Sequence, residues 1–353
     1  MKAITIIPTI KGSTSLRDVP KAKYSDEQVL VKVLETGVCR TDLEIYEGLY
    51  GKTPINQDYL IMGHESLGIV EAVGNKVHSI KKGDYVVRTV RRPCKDACIN
   101  CRFDQNDMCL TGNYVEAGIV GLDGVMTEFY AEKPKFLINI NYRHKNVGVL
   151  MEPLSFSEKA VRKAYEARTG FYWEPKKALV VGAGPIGLLE AMILRNKGLK
   201  TIVAARSEEG NLKSDIVTKI GANYVSTKKI KLKDLGKFDI IIESSGVGKM
   251  VKQSMEALNT NGVLCLTSIT GSSKNYVLPL DQINLDFVLG NKAIVGAVNA
   301  NIKDFEQGTM HLNDFERKWP GVMRQLITRR EKPEDYKEAF EKRKEDIKTI
   351  IEF

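Results

Sequence analysis

Two patterns of hydrophobic and polar positions follow one another along the chain. In the first, apolar and β-branched residues form short or alternating runs between Pro, Gly and Asn residues. Runs of this kind between turn residues predict β-strands, which we place at residues 3–7, 27–34, 60–62, 68–73 and 84–89. The chain up to about residue 150 is therefore predicted to form a small β-rich barrel with loops.

Strands and helices alternate after Pro153. The predicted helices are 158–167, 186–196, 212–220 and 249–258, and the predicted strands are 177–181, 201–205, 238–243, 262–268 and 292–298. This order is typical of a doubly wound α/β fold, in which helices cover both faces of a parallel sheet. We expect the rest of the chain to be helical and charged and to pack back on the first domain. The predicted domains are residues 1–152 with 300–353, and residues 153–299.

Composition and charge narrow the class of protein. The 353 residues are 43% hydrophobic and 27% charged, which excludes wholesale disorder. Apolar runs stay below the roughly 18 residues that a membrane span needs, and the first run is short for a signal peptide, so we expect a cytoplasmic protein with no membrane partner. The net charge is +9, but the lysines are interleaved with acidic residues, which favours a solvated surface over a nucleic-acid site.

A glycine-rich turn links a predicted strand to a predicted helix. Gly182, Gly184 and Gly187 match GxGxxG in the strand–turn–helix context that gives this motif its meaning. These glycines allow a tight turn, close approach of a pyrophosphate and close packing of the helix, whose N-terminus then faces the phosphates. The predicted cofactor contacts of the turn are Gly182, Gly184, Pro185, Ile186 and Gly187.

The end of the following strand favours NADP, although NAD stays possible. Ala205 is followed by Arg206 and Ser207, where an NAD-selective site usually carries an acidic residue. Arg206 can pair with a 2′-phosphate and Ser207 can donate to it. Glu208 and Glu209 come slightly later and are interpreted as surface residues.

Four of the six cysteines fall within one short segment. Cys94, Cys98, Cys101 and Cys109 supply four thiolates, the donor set of a closed, tetrahedral structural zinc. A closed site leaves no position for a substrate, so this metal should only hold a loop.

A second set of candidate ligands is dispersed along the chain. Cys39 lies near Thr41, His64 precedes Glu65, and Glu152 precedes Pro153. Cysteine, histidine and carboxylate suit a catalytic zinc with one open position. Each of these short motifs is weak evidence for a zinc site by itself. Their occurrence together with the thiolate cluster and the glycine turn makes the prediction stronger. We therefore predict two zinc ions per chain.

The combined motifs resemble the zinc-dependent medium-chain alcohol and polyol dehydrogenases over essentially the whole chain. More narrowly, the runs at 90–93, 116–118, 121–124, 180–187 and 298–299 resemble archaeal glucose 1-dehydrogenases. The resemblance implies a GroES-like catalytic domain, a Rossmann dinucleotide-binding domain and a homo-oligomer, either a tetramer or a dimer. It also implies NADP-dependent oxidation of C1 of D-glucose and related aldoses to the lactone.

The resemblance assigns roles to individual residues. Cys39 and His64 would bind the catalytic zinc, with Glu65 and Glu152 as ligands that exchange during turnover. Thr41 would contact the reacting hydroxyl and pass its proton onward. The sugar hydroxyls would be bound by Glu116, Glu152 and Asn299, and the nicotinamide end would be lined by Thr267, Ser268, Ile269, Ala297, Val298 and Asn299. The chain departs from the family where Arg40 replaces a usual Gly and Phe156 replaces an expected Asp.

Three alternatives stay open. Another sugar, polyol or threonine dehydrogenase of the same family would share the chemistry and differ in substrate. A basic, zinc-stabilised nucleic-acid-binding protein would leave the glycine turn and the dispersed ligands without a role. A zinc-free relative of the quinone reductases conflicts with the ligands that this chain retains.

Overall fold

The protein folds into two compact units in a computed structural model that describes residues 1–269 and 275–353. The first unit comprises Met1–Ser155, Asn299–Leu312 and Met323–Phe353, and the second comprises Phe156–Val298 and Asn313–Val322. Residues 313–322 were expected in the first domain, but in the structure they cluster with the second unit. Asp314 and Lys318 explain this, because both contact Asn196, at 3.4 and 3.3 Å.

The first part of the chain consists mainly of short strands. They are β1 Lys2–Ile6, β2 Ser15–Asp18, β3 Val29–Val38, β4 Leu60–Ile61, β5 Glu65–Val73, β6 Tyr85–Arg88, β7 Glu116–Ala117, β8 Gly121–Leu122, β9 Phe129–Glu132 and β10 Leu137–Ile140, with helices α1 Arg40–Tyr46 and α2 Ile99–Arg102. Helix α3, Met151–Glu166, follows them and begins seven residues earlier than predicted, at residue 151 rather than 158. Pro153 lies in its first turn, where a missing N–H costs nothing.

Strands and helices then alternate as predicted. The elements are β11 Lys177–Val181, α4 Pro185–Asn196, β12 Lys200–Ala205, α5 Leu212–Lys219, β13 Asn223–Ser226, β14 Phe238–Glu243, α6 Gly248–Glu256, β15 Leu258–Leu266, α7 Leu280–Leu289 and β16 Ala293–Gly296. The C-terminal elements are α8 Ile302–Lys318, β17 Ile327–Glu331, α9 Tyr336–Phe340 and β18 Lys348–Glu352. Turns of 3₁₀ helix lie at Asn106–Met108, Pro134–Phe136, Tyr142–His144, Gly148–Leu150, Leu232–Leu235, Met323–Leu326 and Pro333–Asp335.

The main sheet of the first unit has the order β10-β6-β5-β3-β18-β17, with β9 also pairing with β3. The expectation of an all-helical C-terminal segment was therefore wrong at β17 and β18. Two charged side chains of these strands are buried: Arg329, which pairs with Asp346 at 3.2 Å, and Lys348, which is 2% exposed. Internal pairing allows a strand to bury charges that a sequence pattern assigns to the surface.

The sheet of the second unit is parallel and has the order β13-β12-β11-β14-β15-β16. Its buried strands are continuous apolar runs, as expected when helices cover both faces. The strand order reverses between β11 and β14, so the crevice beyond the carboxyl ends of these strands is the expected ligand position. The predicted α/β fold class is confirmed.

Each unit has its own apolar core. In the first unit one cluster gathers Ile4, Ile6, Ile45, Leu60, Met62 and Met126 with Tyr336, Phe340 and Ile351 from the C-terminal segment. In the second unit the core under the parallel sheet includes Leu179, Val181, Phe238, Ile241 and Leu264.

Candidate active site and dinucleotide site

Three of the predicted zinc ligands meet in the first unit. Cys39 is the N-cap of α1, His64 precedes β5, and Glu65 is the first residue of β5. The Sγ atom of Cys39, a ring nitrogen of His64 and a carboxylate oxygen of Glu65 all lie within 4.8 Å of one another. A thiolate, an imidazole and a carboxylate at this spacing form a donor set that fits zinc.

Asp42 orients His64 and was not identified from the sequence. Its Oδ1 lies 3.3 Å from His64 Nδ1, and its Oδ2 accepts a hydrogen bond of 2.8 Å from the amide of Cys39. Burial lowers the pKa of His64, but Asp42 and Cys39 outweigh it and raise this pKa well above its usual value. With Nδ1 facing a carboxylate, Nε2 is left for a metal, which is a common arrangement around ligating histidines.

Lys348 holds Glu65 and was also missed. Its Nζ donates to Glu65 Oε1 at 2.7 Å and to the carbonyl of Val38 at 3.2 Å. Both charged side chains of this ion pair are 2% exposed. Burial lowers the pKa of Lys348, but Glu65 and Cys39 raise it overall, so the ammonium stays charged. A lone lysine in the apolar β18 segment was the signal available in the sequence.

Glu152 and Thr41 lie on helices beside the three ligands. Glu152 is in the first turn of α3, and burial raises its pKa to about 7, with smaller effects from His64 and Glu65. It is not one of the three groups within 4.8 Å, which suits a carboxyl group that approaches a metal only in part of the cycle. Thr41 is the second residue of α1 and half-buried.

The four clustered cysteines converge on a second point. The Sγ atoms of Cys94, Cys98, Cys101 and Cys109 lie within 4.8 Å of one another, around α2. Backbone N–H groups of Leu110 and Cys101 lower the pKa of Cys98 to about 6, whereas burial raises the pKa of Cys101 to about 12. Four convergent sulfur atoms fit a closed structural zinc.

Two predicted sugar-binding residues contact each other. Asn299 Nδ2 donates to Glu116 Oε1 at 2.9 Å, and Arg91 Nε donates to the same oxygen at 3.0 Å. Arg91 is buried and lies 3.9 Å from the ring centre of Tyr114. Asn299 has a left-handed backbone with φ of +56°, so a specific loop conformation aims its amide. Arg91 was not identified as a site residue from the sequence.

The two departures from the family pattern lie on helices. Arg40 is exposed and its Nε is 3.1 Å from Glu44 Oε1, one turn further along α1. Phe156 is half-buried on α3.

The glycine turn of the second unit has the geometry of a phosphate site. Gly182 has a φ of +119°, and a Cβ at Gly187 would lie 2.1 Å from the carbonyl oxygen of Gly182. A Cβ at Gly184 would meet nothing within 4 Å, so this side of the turn is an open cradle. Gly184 is the N-cap of α4, and Pro185 and Ile186 begin that helix, whose first N–H groups are available to an anion.

Arg206 and Ser207 follow the end of β12, where Ala205 is the last residue. Arg206 is exposed. The hydroxyl of Ser207 is 2.6 Å from that of Tyr224, a residue that was not identified from the sequence. The interpretation of the two nearby acids as surface residues agrees with the structure, since both are exposed and face lysines. The pairs are Glu208 with Lys228 at 3.7 Å and Glu209 with Lys229 at 3.2 Å.

The remaining predicted cofactor contacts follow β15 and β16 at the same edge of the sheet. Thr267 and Ser268 are half-buried and Ile269 is 82% exposed. Ala297 is half-buried and Val298 is exposed. Thr267 donates through its hydroxyl to the carbonyl of Glu243 at 3.0 Å.

Two known protein families match successive parts of the chain. The family pattern described as "Glucose dehydrogenase C-terminus" matches residues 145–353, and "Alcohol dehydrogenase GroES-like domain" matches residues 25–142. The glucose 1-dehydrogenase of Methanocella arvoryzae is 40% identical over 356 residues, covering 100% of this chain and 99% of that protein. The chain belongs to the glucose 1-dehydrogenase family.

Two further members of the glucose 1-dehydrogenase family are similar over their whole length. The glucose 1-dehydrogenase of Thermoproteus tenax is 39% identical over 358 residues, with 100% of this chain and 99% of that protein covered. The solved structure of Haloferax mediterranei glucose dehydrogenase in complex with NADP, Zn and gluconolactone has a TM-score of 0.91 at 33% identity and covers 100% of this chain and 99% of that one.

Membership of the glucose 1-dehydrogenase family confirms the predicted zinc-dependent medium-chain dehydrogenase type and the predicted oxidoreductase class. The predicted cofactors, NADP and zinc, are those named for the Haloferax mediterranei structure. Among the described residues, every helix is too short or too polar to cross a membrane.

Proposed function

We propose that this chain oxidises C1 of D-glucose, and of related aldoses, to the lactone with NADP as the acceptor. The observation that carries the proposal is the convergence of Cys39, His64 and Glu65 within 4.8 Å. The Glu116–Asn299 pair in the same unit supplies the acceptors and donors that a polyhydroxylated substrate requires. Full-length similarity to glucose 1-dehydrogenases supports the choice of sugar.

The residues present fit the two kinds of metal site. We propose that Cys39 and His64 hold a catalytic zinc, with Glu65 and Glu152 as exchanging ligands. The structural zinc would be held by Cys94, Cys98, Cys101 and Cys109. When bound, the catalytic zinc acts as a Lewis acid on the substrate hydroxyl, and NADP accepts the hydride.

The chain's own side chains orient the sugar and move its proton. Thr41 accepts the proton of the reacting hydroxyl and passes it onward, since it follows Cys39 by two residues on α1. Glu116 and Asn299 bind sugar hydroxyls, and Arg91 keeps the Glu116 carboxylate in place at 3.0 Å. Glu152, whose pKa is raised to about 7 chiefly by burial, can bind a hydroxyl as acceptor or donor.

The second unit would bind the dinucleotide along one edge of its sheet. Gly182, Gly184, Pro185, Ile186 and Gly187 would hold the pyrophosphate, and Ala205, Arg206 and Ser207 would hold the adenosine phosphate. The nicotinamide end would lie near Thr267, Ser268, Ile269, Ala297 and Val298. We propose that the first unit is the catalytic domain and the second unit the dinucleotide-binding domain, with residues 313–322 assigned to the second unit.

The proposed substrate is tested by a panel of rates. The value of kcat/KM is measured for D-glucose, D-galactose, D-xylose, sorbitol and L-threonine, each with NADP and with NAD. D-glucose or a close aldose with NADP should give the highest value and a lactone product. A higher value for sorbitol or L-threonine would assign the chain to another activity of the same family.

We infer that the chain is a homo-oligomer, either a dimer or a tetramer. On α7, Leu280, Leu285, Val288 and Leu289 are each more than half exposed. Strand β16 lies beside α7 in sequence and is the last strand in the order of the parallel sheet. Exposed apolar helix faces and unpaired sheet edges are both surfaces that association covers. Light scattering should show at least a dimer, and Leu285→Glu with Val288→Glu should reduce the mass, whereas Tyr172→Ser should not.

We also propose a cytoplasmic location. All six cysteines are free thiols, and four of them form the thiolate cluster. Reducing compartments preserve such thiols for metal binding. Fractionation of expressing cells should place the protein with cytoplasmic markers.

A further inference from the structure

A buried carboxyl group lies behind the dinucleotide edge of the second unit. Glu190 is on α4, three residues after Gly187, and is 0% exposed. Its Oε2 is hydrogen-bonded to the Ser244 hydroxyl, while Oε1 has no hydrogen-bond partner in the part of the chain that the structure describes. A buried carboxylate without a cation is far less stable than the neutral acid.

Glu190 is the inner end of a chain of hydroxyl groups. Ser244 Oγ is 2.9 Å from Thr267 Oγ1, and Thr267 donates in turn to the carbonyl of Glu243 at 3.0 Å. Ser244 and Thr267 are the first residues after β14 and β15. The chain of hydroxyls therefore reaches the sheet edge at which the dinucleotide is proposed to lie.

The same network supports the glycine turn. The amide of Ser244 donates to the carbonyl of Val181 at 2.9 Å, one residue before the turn begins. A Cβ at Gly182 would lie 3.1 Å from the carbonyl carbon of Ser244. A shift of Ser244 would therefore displace both the phosphate turn and the side chain of Thr267.

Several charged or titratable groups face Glu190 or its neighbours. Glu243 on β14 accepts from the amide of Ser245 at 3.0 Å, and buried Cys265 lies on β15. On α3, Lys159 donates to the carbonyl of Val298 at 2.7 Å and Lys163 to Glu166 at 3.2 Å. No ion pair to Glu190 is formed within residues 1–269 and 275–353.

We propose that Glu190 is a positioning residue for the dinucleotide: the neutral acid holds the hydroxyls of Ser244 and Thr267 in one arrangement, and its ionisation disturbs that arrangement and weakens cofactor binding. The inference rests on the proposed dinucleotide site. Ionisation would also place a negative charge behind the turn that receives the anionic pyrophosphate.

The pH at which this occurs is accessible to experiment. Burial raises the pKa of Glu190 to about 8, and the hydroxyl groups of Ser244 and Thr267, which lower it, do not compensate. The neutral acid therefore predominates below this pH, and cofactor affinity should decline only above it.

The test is the dissociation constant of NADP between about pH 6.5 and 9.5, measured by calorimetry on the full-length protein. For the unchanged protein, we expect a constant value below about pH 7.5 and a rise above pH 8 of at most about tenfold per pH unit, because one proton is linked to binding. Glu190→Gln keeps a neutral amide in place and should bind at neutral pH within about threefold of the unchanged protein, without the rise. Glu190→Leu should bind weakly at every pH, and Glu174→Gln, a control at an exposed residue before β11, should keep the rise.

The Glu190→Gln result decides between positioning and mere packing. A rise with pH in this variant that equals the rise in the unchanged protein would overturn the proposal, even if Glu190→Leu fails to fold. Equal binding by the unchanged protein and both variants at every pH would also overturn it. Absence of NADP binding by the unchanged protein at every pH would instead remove the proposed cofactor, and the role of Glu190 with it.

Discussion

His64 and Glu65 are adjacent in the chain, but different partners hold them. Asp42 faces Nδ1 of His64 at 3.3 Å, whereas Lys348 donates to Glu65 at 2.7 Å. In the proposed metal site, His64 would thus present its other nitrogen as a fixed ligand. Glu65 is shared with an ammonium group, so its bond to a metal must compete with the ion pair. This difference is a physical reason for expecting His64 to stay on the zinc and Glu65 to exchange.

Replacing Lys348 should lower the free energy of unfolding and change the amount of zinc that the protein retains. Lys348→Met leaves Glu65 as an unpaired buried charge, which costs about 3–5 kcal/mol. The free energy of unfolding is measured by urea titration, with zinc content on the same preparation. Glu65→Leu with Lys348→Met removes both charges and should recover most of the stability. A single variant as stable as the unchanged protein would contradict the ion pair.

Removing the Thr41 hydroxyl should slow turnover without loss of metal. Thr41→Val keeps the shape of the side chain, and loss of a positioned proton-transfer group lowers kcat by about 10²–10⁴. Zinc content and melting temperature should stay near those of the unchanged protein. Unchanged kinetics in Thr41→Val would reject the proton relay and leave Thr41 as a residue of the first turn of α1.

Arg206 should distinguish the two dinucleotides. Loss of a charge-assisted contact with a 2′-phosphate costs about 1.5–3 kcal/mol, so Arg206→Ala should weaken NADP binding by about ten- to 150-fold and leave NAD nearly unchanged. Both dissociation constants are measured, with the exposed Arg317→Ala as the control. Equal weakening for NADP and NAD would show that Arg206 does not bind the 2′-phosphate.

We expect the stability of the thiolate lobe around α2 to depend on a bound metal. Cys94→Ser opens a closed tetrahedral site, and the binding free energy of such a metal is largely folding free energy. We expect a lower melting temperature and the loss of one zinc, with kcat per folded molecule largely kept. Cys265→Ala, at a buried cysteine outside the cluster, should keep both zinc ions. A normal melting temperature with no activity in Cys94→Ser would contradict a structural role.

The helices and strands that could be predicted from the sequence are those with a clear pattern of apolar residues within the element itself. Strand β14 has the predicted bounds 238–243, because a buried parallel strand is a continuous apolar run. Strand β13, Asn223–Ser226, escaped prediction because it is short and largely polar. The proposed ligands Cys39 and His64 occur in recognisable motifs, but Asp42 and Lys348 act through contacts that only folding creates. Lys348 reaches Glu65 across 283 positions of the sequence.

The C-terminal segment completes the first unit of the molecule. Strand β18 lies between β3 and β17 in the main sheet. The ring of Phe340 on α9 stacks on that of Tyr46, with 4.7 Å between the ring centres. The chain therefore returns to its first domain after the parallel sheet, as expected from the sequence, but it does so largely through strands. Lys348 is in β18, so the same return also supplies a residue to the candidate active site.

The central claim is that the chain transfers hydride from C1 of D-glucose to NADP. The most direct measurement uses D-glucose that carries deuterium at C1, with mass spectrometry of the reduced cofactor and of the sugar product. We expect the reduced cofactor to be one mass unit heavier than with ordinary glucose, and a lactone or its hydrolysis product without the label. Reduced cofactor without deuterium, or a lack of reduction by D-glucose in zinc-loaded protein, would contradict the account.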